Sequence, residues 1–322
     1  MKAIWFSNPG KDAEITVTDL DDPAVPSGRE ILIDVKASGL NRADLLQMRG
    51  LYPPPPGYSE NIPGLEFSGI VAAIGPLAKR FKIGDRVAGI TSGGAQSERL
   101  LCDERLMFAV PDSIDIISAA GIPEAYITAH DAIVTLGRLK ADETLLIHAV
   151  GSGVGLAALQ IAGLIGARTI GTSRTESKLD MAKAEGLDHA ISGEDFGEEV
   201  KELGGADVVL DLVGAAYFEE NLKVLNPLGR LIAVGLVGGR KAEIDLGLVL
   251  SKRLTLRGTV LRSRSIDEKE AAVSSFENDL MPAFSSGLIA PKIDSVYGID
   301  DVEEAYSKLA ANGNFGKILL EW

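Results

Sequence analysis

The chain has 322 residues, room for about two domains at roughly 150 residues each. Its 46% hydrophobic and 24% charged residues match an ordinary folded protein and exclude a disordered or fibrous one. Basic residues number 32 and acidic ones 46, a formal net charge of -14, so long-range electrostatics repel phosphate backbones and anionic lipid surfaces and argue against nucleic-acid or membrane partners.

The single cysteine, Cys102, excludes an internal disulfide, and with only His130, His148 and His189 beside it no four-cysteine zinc site can form. The opening MKAIWFSNPG has no apolar run of signal-peptide length, so a cytoplasmic location is expected. The first third reads as short strands. Ile31 to Lys36 alternates apolar and polar, Gly69 to Ile74 and Arg86 to Ile90 are further apolar runs, and Gly/Pro-rich segments separate them, the pattern of a twisted, barrel-like β unit.

From about residue 120 apolar runs alternate with helical segments: Thr144 to Ala149 and a helix, Arg168 to Thr172 and Glu176 to Glu185, Val208 to Leu212 and Phe218 to Leu225, then Leu231 to Gly235. Strand, helix, strand repeated in this way predicts right-handed crossovers and a parallel sheet covered on both faces. The apolar stretch Leu145 to Ala167 approaches membrane-span length, but its five glycines with His148, Ser152 and Gln160 fit a strand, a turn and a buried helix better. After about Leu261 come helices around Lys269 to Phe284 and Val302 to Ala311 and a closing strand Lys317 to Trp322, too little for a domain. They are expected to return to the N-terminal unit, giving a division into 1–120 completed by 262–322, and 121–261.

The segment Leu146 to Gly155, LIHAVGSGVG, runs an apolar strand into a glycine turn and an apolar helix. Backbone N–H groups and the helix dipole at such a turn favour a dinucleotide pyrophosphate. The literal G-x-G-x-x-G is absent: its positions hold Val150, Ser152 and Gly155, with Gly153 and Val154 between, and a plain strand-to-helix turn is the alternative. About twenty residues on, where an NAD-binding chain places an acid on the ribose, this one reads Gly171-Thr172-Ser173-Arg174-Thr175. Ser173, Arg174 and Lys178 offer donors and positive charge for a 2'-phosphate, which favours NADPH over NADH, the alternative being two solvated cations at a helix start.

Collinear segments over nearly the whole chain carry a family resemblance: SGLNRADLLQMRGLY (Ser38 to Tyr52) with Pro53 to Gly57, PGLEFSG (Pro63 to Gly69), FKIGDRV (Phe81 to Val87), Ile122-Pro123-Glu124-Ala125, His148 to Gly155, Leu261-Arg262-Ser263-Arg264 and Asn314-Phe315-Gly316-Lys317. Together they resemble a zinc-free member of the medium-chain dehydrogenase/reductase superfamily, in the NADPH:quinone oxidoreductase group and most like its p53-inducible quinone oxidoreductase branch. The resemblance implies an α/β protein: a Rossmann-type doubly wound parallel sheet domain plus a GroES-like, barrel-like β catalytic domain. Where the zinc-dependent alcohol dehydrogenases of that superfamily carry a ligand Cys and a ligand His, this chain has Asn41 and Leu65. Without a Lewis acid, alcohol oxidation is disfavoured, whereas an electrophilic acceptor needs only a positioned hydride and a stabiliser of the developing oxyanion. The expected function is zinc-independent, NADPH-dependent reduction of quinones. Reduction of the C=C bond of an α,β-unsaturated ketone or aldehyde uses the same chemistry, and NADPH binding without turnover is a reading of another class.

The resemblance puts Tyr52 at the mouth of the nicotinamide pocket, stiffened by Pro53 to Pro56, with its phenol directed at the acceptor oxygen; packing under a proline turn is the competing role. Asn41 can donate and accept toward a carboxamide or the acceptor, or cap a short helix, and Arg42 with Asp44 reads as a local pair. Thr128 is similar to the family threonine near the nicotinamide, Gly235 and Leu236 end a late parallel strand where ligands bind, and Phe315 and Lys317 resemble residues bordering the cofactor groove. His148 reads as a core histidine, Cys102 as a packed side chain, Glu66 as structural, and Glu268-Lys269-Glu270 as a solvated helix face. A homodimer joined through edge strands near Leu231 to Gly238 is expected.

Overall fold

The computed structural model describes every residue except Lys11 and Glu194. It separates into two compact units, Met1–Ile127 with Leu261–Trp322, and Thr128–Val260.

The first unit begins with the antiparallel pair β1 (Lys2–Ser7) and β2 (Glu14–Asp19). The strands β3 (Glu30–Gly39), β4 (Glu66–Ile74), β5 (Arg86–Ile90), β6 (Arg99–Asp103) and β7 (Met107–Ala109) follow, with the helices α1 (Arg42–Met48) and α2 (Ile116–Ala119). Strand β3 is the hub: it pairs with β4 along its length and with β6 over its N-terminal half. Its isoleucines Ile31 and Ile33 are fully buried while their neighbours are not, the period-2 burial of a strand with one covered face.

Helix α3 (Pro123–His130) continues as a wide π turn, Asp131–Leu136. The expected boundary at 120/121 moves to 127/128, because the first turn of α3 is tied to the first unit: Glu124 N–H donates to Glu66 at 2.8 Å and the Tyr126 hydroxyl to the Ala290 carbonyl at 2.8 Å.

The second unit alternates strands and helices: β8 (Thr144–Ile147), α4 (Gly153–Ile165), β9 (Arg168–Ser173), α5 (Glu176–Ala184), β10 (His189–Ser192), α6 (Phe196–Glu202), β11 (Ala206–Asp211), α7 (Ala215–Val224), β12 (Leu225–Ala233), α8 (Leu246–Lys252) and β13 (Thr255–Gly258). The sheet is parallel throughout, in the order β10-β9-β8-β11-β12-β13, the doubly wound arrangement with its switch point at β8. Leu146, Ile170, Val209 and Leu231 from neighbouring strands form the core with Phe196 and Val200 of α6 and Val224 of α7. Strand β12 is internal, so the expected edge near Leu231 to Gly238 is corrected: the edge on that side is β13, which pairs with β12 from Thr255 to Gly258.

The chain returns to the first unit with α9 (Ile266–Ser285), β14 (Ile293–Gly298), α10 (Val302–Ala310) and β15 (Lys317–Glu321). Ser265 and Glu268 form a capping box at the start of α9, extending it three residues ahead of the expected Lys269. Strand β15 pairs antiparallel with the C-terminal half of β3, through Leu319 and Gly39. This is why a segment too short to fold alone is stable: Ile318, Leu320, Tyr306 and Leu309 complete a core with Ile4, Phe6, Leu40 and Leu45. No described helix is long and apolar enough to cross a membrane.

Candidate active site

In the first unit, the junction of β3, β4 and β15 gathers charge in a buried place. Glu66 opens β4 with no exposure and packs directly on Gly39, where a Cβ would collide with its carboxylate. Its oxygens accept from Asn41 Nδ2 at 2.8 Å, from Lys317 Nζ at 2.5 Å and from the Glu124 N–H at 2.8 Å. Lys317, 5% exposed, also donates to the Leu40 carbonyl at 2.9 Å and Asn41 Oδ1 at 2.8 Å, so its three ammonium protons are all engaged. Both amide protons of Asn41 are spent on Glu66 and the Gly39 carbonyl, leaving one lone pair of its oxygen open.

Asp44, fully buried on α1, accepts from Asn41 N–H at 2.8 Å and Gly64 N–H at 3.2 Å. Burial pushes its carboxyl up to about 6 against these hydrogen bonds and the nearby Lys317 and Arg262 charges. The expected Arg42–Asp44 pairing is replaced: Arg42 donates to the Leu309 carbonyl at 3.2 Å and to Asn312, while Asp44 serves the backbone. The N–H of the N-cap residue and the Gly64 turn both need an acceptor, and Asp44 is the buried one within reach.

Tyr52 is half-buried beyond α1, and Arg262 holds it. The guanidinium lies 4.9 Å from the ring centroid, donates to the Tyr52 carbonyl at 2.8 Å and the Ser92 carbonyl at 2.9 Å, and reaches Gln47 Oε1. Burial raises the phenol above its ordinary value, reinforced by the Glu124 charge and opposed by Arg262. Lys269 corrects the expected solvated face: it is 3% exposed and its ammonium bonds Ser92 Oγ, because this stretch of α9 lies against the strands, with Ala272, Val273 and Phe276 buried along it. Cys102 is buried and its thiol is pushed up by desolvation. Phe315 is buried, its N–H on Asp294 Oδ1 at 2.8 Å.

In the second unit, Ser152 caps α4, its hydroxyl accepting from Gly155 N–H at 3.1 Å. A Cβ at Gly155 would stand 2.6 Å from the Ala149 carbonyl oxygen, so helix and strand meet as closely as a pyrophosphate turn needs. Ala149 itself sits at φ 51°, in the conformation a glycine would supply. Gly153 and Val154 form the first turn of α4, with their N–H groups at its positive end. At the tip of β9, Ser173 is half-buried and accepts from Thr175 N–H at 3.2 Å, Arg174 is exposed and Lys178 lies on the first turn of α5. Gly235 and Leu236 follow β12, Gly235 N–H on the Asp211 carbonyl at 3.1 Å and Leu236 59% exposed. Thr128 is buried within α3.

His148 lies beneath the turn without exposure, bonded to Thr172 Oγ1 at 2.9 Å and Asn221 Oδ1 at 2.7 Å. The Asn221 amide in turn donates to Asp211 at 3.4 Å, which requires His148 Nε2 to donate to Asn221 and Nδ1 to accept from Thr172. Desolvation lowers its pKa and keeps it neutral, a structural strut rather than a base.

Sequence reasoning missed Glu124, Lys269 and the clamp by Arg262. Glu124 follows a proline at a helix start, where an acid is ordinary, and only the tertiary contact with Glu66 distinguishes it. Among the described residues no three His, Cys, Asp or Glu side chains could hold a metal ion.

Residues 27–135 match the alcohol dehydrogenase GroES-like domain and residues 153–278 the zinc-binding dehydrogenase family. The chain is 32% identical to a quinone oxidoreductase of Pseudomonas aeruginosa, covering 99% of each. It is 29% identical to the synaptic vesicle membrane protein VAT-1 homolog of Danio rerio over 92% of this chain, and spans 65% of that relative's length. The quinone oxidoreductase of Escherichia coli, solved in complex with NADPH, superposes over the full length of both chains with a TM-score of 0.88 at 28% identity.

Removing the cation under Glu66 tests the cluster. Lys317→Met should destabilise the protein by about 3–5 kcal/mol in denaturant unfolding at neutral pH, since it strands a buried carboxylate. Glu66→Gln added to it should recover part of the loss, and two independent additive losses would mean that the pair is not coupled.

Proposed function

Because the chain belongs to the medium-chain dehydrogenase/reductase superfamily, among its quinone oxidoreductase-like members, we propose that it is a zinc-independent, NADPH-dependent reductase that transfers hydride to quinones. The observation that carries this reading is the charge arrangement under the candidate site. The Lys317 ammonium takes the place beside Glu66 and Asn41, and the donors there are an amide, a lysine and carboxylates committed to backbone N–H groups. Such a set, its charges and donors committed to one another, is a poor zinc set, which wants thiolate or imidazole.

Several features of the second unit fit a nicotinamide dinucleotide. The close-packed turn at Gly155 and the N–H groups of Gly153 and Val154, capped by Ser152, suit the pyrophosphate, and Ser173, Arg174 and Lys178, with no acid at the β9 tip, suit a 2'-phosphate. Thr128, Gly235 and Leu236 are this unit's further candidates for contact with the cofactor, and within the first unit Asn41, Phe315 and Lys317 remain candidates taken from the family resemblance. When bound, that cofactor supplies the hydride. Tyr52, its ring fixed under Arg262, then offers a proton or hydrogen bond to the oxygen of the reduced acceptor, while Asn41, its amide protons committed, holds Glu66 and Lys317 in place.

The reading includes a homodimer joined along β13. The helix α8, just ahead of this edge strand in the chain, leaves apolar side chains uncovered, Leu246 at 61% and Leu250 at 76% exposure. Sedimentation velocity should give a dimer, and a stable monomer at micromolar concentration would remove this part.

Cofactor choice is read by Arg174→Glu combined with Lys178→Glu, which should weaken NADPH binding far more than NADH binding in a titration; equal losses would refute the 2'-phosphate assignment. The function itself is tested by metal-free NADPH oxidation with an ortho-quinone and an α,β-unsaturated ketone in parallel. Quinone turnover well above that on the enone is expected. The reverse order would make the protein an enone reductase, and no oxidation with either would favour a cofactor-binding role.

A further inference from the structure

Two buried cations of the first unit, Arg262 at 4% and Lys269 at 3% exposure, are bonded among the described residues to carbonyls, an amide and a hydroxyl rather than to carboxylates. A buried ammonium without an ion-paired anion is destabilising, and a methionine of similar length would fill its space without that penalty. The reason for a lysine lies in its one hydrogen-bond partner, Ser92.

Ser92 stands just after β5 with no exposure, and its single hydroxyl proton goes to the Arg262 carbonyl at 2.8 Å. Its oxygen therefore accepts from Lys269, and the ammonium holds the hydroxyl with its proton on Arg262. Arg262 Nε donates back to the Ser92 carbonyl at 2.9 Å, so the two residues, 170 apart in sequence, grip each other at two points. The bonds continue outward from Arg262. Its guanidinium holds the Tyr52 carbonyl at 2.8 Å and Gln47 Oε1, and Gln47 Nε2 holds the Glu60 carbonyl at 2.9 Å. Both ends of the loop from Tyr52 to Glu60 are thus tied back to one guanidinium. Pro53 to Pro56 within it have no N–H groups, so the donors that fix this stretch must come from elsewhere.

We propose that Lys269 is a positioning residue for the acceptor site, fixing the direction of the Tyr52 phenol through Ser92 and Arg262. The inference rests on the reading of Tyr52 as the group on the acceptor oxygen. Without the ammonium the Ser92 hydroxyl is free to turn away from the Arg262 carbonyl, and the guanidinium, 4.9 Å from the Tyr52 ring centroid, loses one of its anchors. The phenol then samples directions in which it does not meet the acceptor oxygen.

The first arm of the test needs neither cofactor nor acceptor. The full chain carrying a fluorotyrosine in place of Tyr52 should show one fluorine resonance that shifts or broadens in Lys269→Met, and further in Lys269→Met combined with Ser92→Ala. Denaturant unfolding should give Lys269→Met a midpoint no lower than that of wild type, since an unpaired buried charge is removed. The second arm measures turnover with NADPH and an ortho-quinone. Lys269→Met should lower kcat by about ten-fold with the KM for NADPH unchanged, and should add no loss in a Tyr52→Phe background. An unmoved resonance, or losses that multiply in the Tyr52→Phe background, would overturn the linkage alone. A lowered midpoint with wild-type kcat would also overturn it and leave Lys269 a packing residue. Wild-type turnover in Tyr52→Phe would instead overturn the reading of Tyr52, and the acceptor-site role of Lys269 with it, even where the resonance moves.

Discussion

The ammonium of Lys317 on the carboxylate of Glu66 is the contact around which the first unit is arranged. The two residues are 251 positions apart in sequence, 317 less 66, and belong to strands that both border β3. Each charge is too deeply placed to exist without the other, so the last strand must add to the sheet in one register, the one that sets Leu319 opposite Gly39. Asn41 and the first turn of α3 then attach to the same carboxylate, and three separate segments are held within hydrogen-bond distance of one oxygen pair.

From this pair the neighbouring chemistry follows. Burial, with the neighbouring Glu66 next, pulls the Glu124 carboxyl upward, as burial does that of Asp44. Arg262 is the second fixed charge. It spends its donors on carbonyls of Tyr52 and Ser92 and on Gln47, so it works less as a free cation than as a clamp on the loop that carries Tyr52. The four prolines after Tyr52 restrict the chain from one side and Arg262 from the other, so the phenol is held at small entropic cost. The second unit uses the same economy of charge. Its most buried polar chain, Thr172 to His148 to Asn221 to Asp211, is neutral until its last member, and that aspartate meets the backbone N–H groups of Val213 and Gly214.

The parallel sheet and its helices were legible because every element there is local: a run such as Thr144 to Ile147 followed by glycines and an apolar helix has one economical fold, and periodicity alone finds it. The turn geometry was less legible, since Ala149 adopts the left-handed conformation that sequence reasoning reserves for glycine, the surrounding hydrogen bonds outweighing its intrinsic preference. Lys269 was misread for a similar reason. Flanked by Glu268 and Glu270 it has the composition of a wet helix face, yet a helix turns its faces every few residues, and the residue between the exposed Glu268 and the half-buried Glu270 points inward at Ser92.

By itself, the sequence determined the alternation of elements, the glycine turn, the lack of an acid at the β9 tip and the amide and leucine where related zinc enzymes carry ligands. These are properties of short segments and of residue identity, which no packing can change. Only the tertiary structure decided that β12 is internal and β13 the edge, that Asn41 is bound to Glu66 and Lys317, that Arg262 clamps Tyr52, and that the Glu124 N–H meets Glu66. Each of these depends on which distant segments meet and on how much water their meeting excludes, and the protonation of a carboxyl follows from that exclusion rather than from its neighbours along the chain.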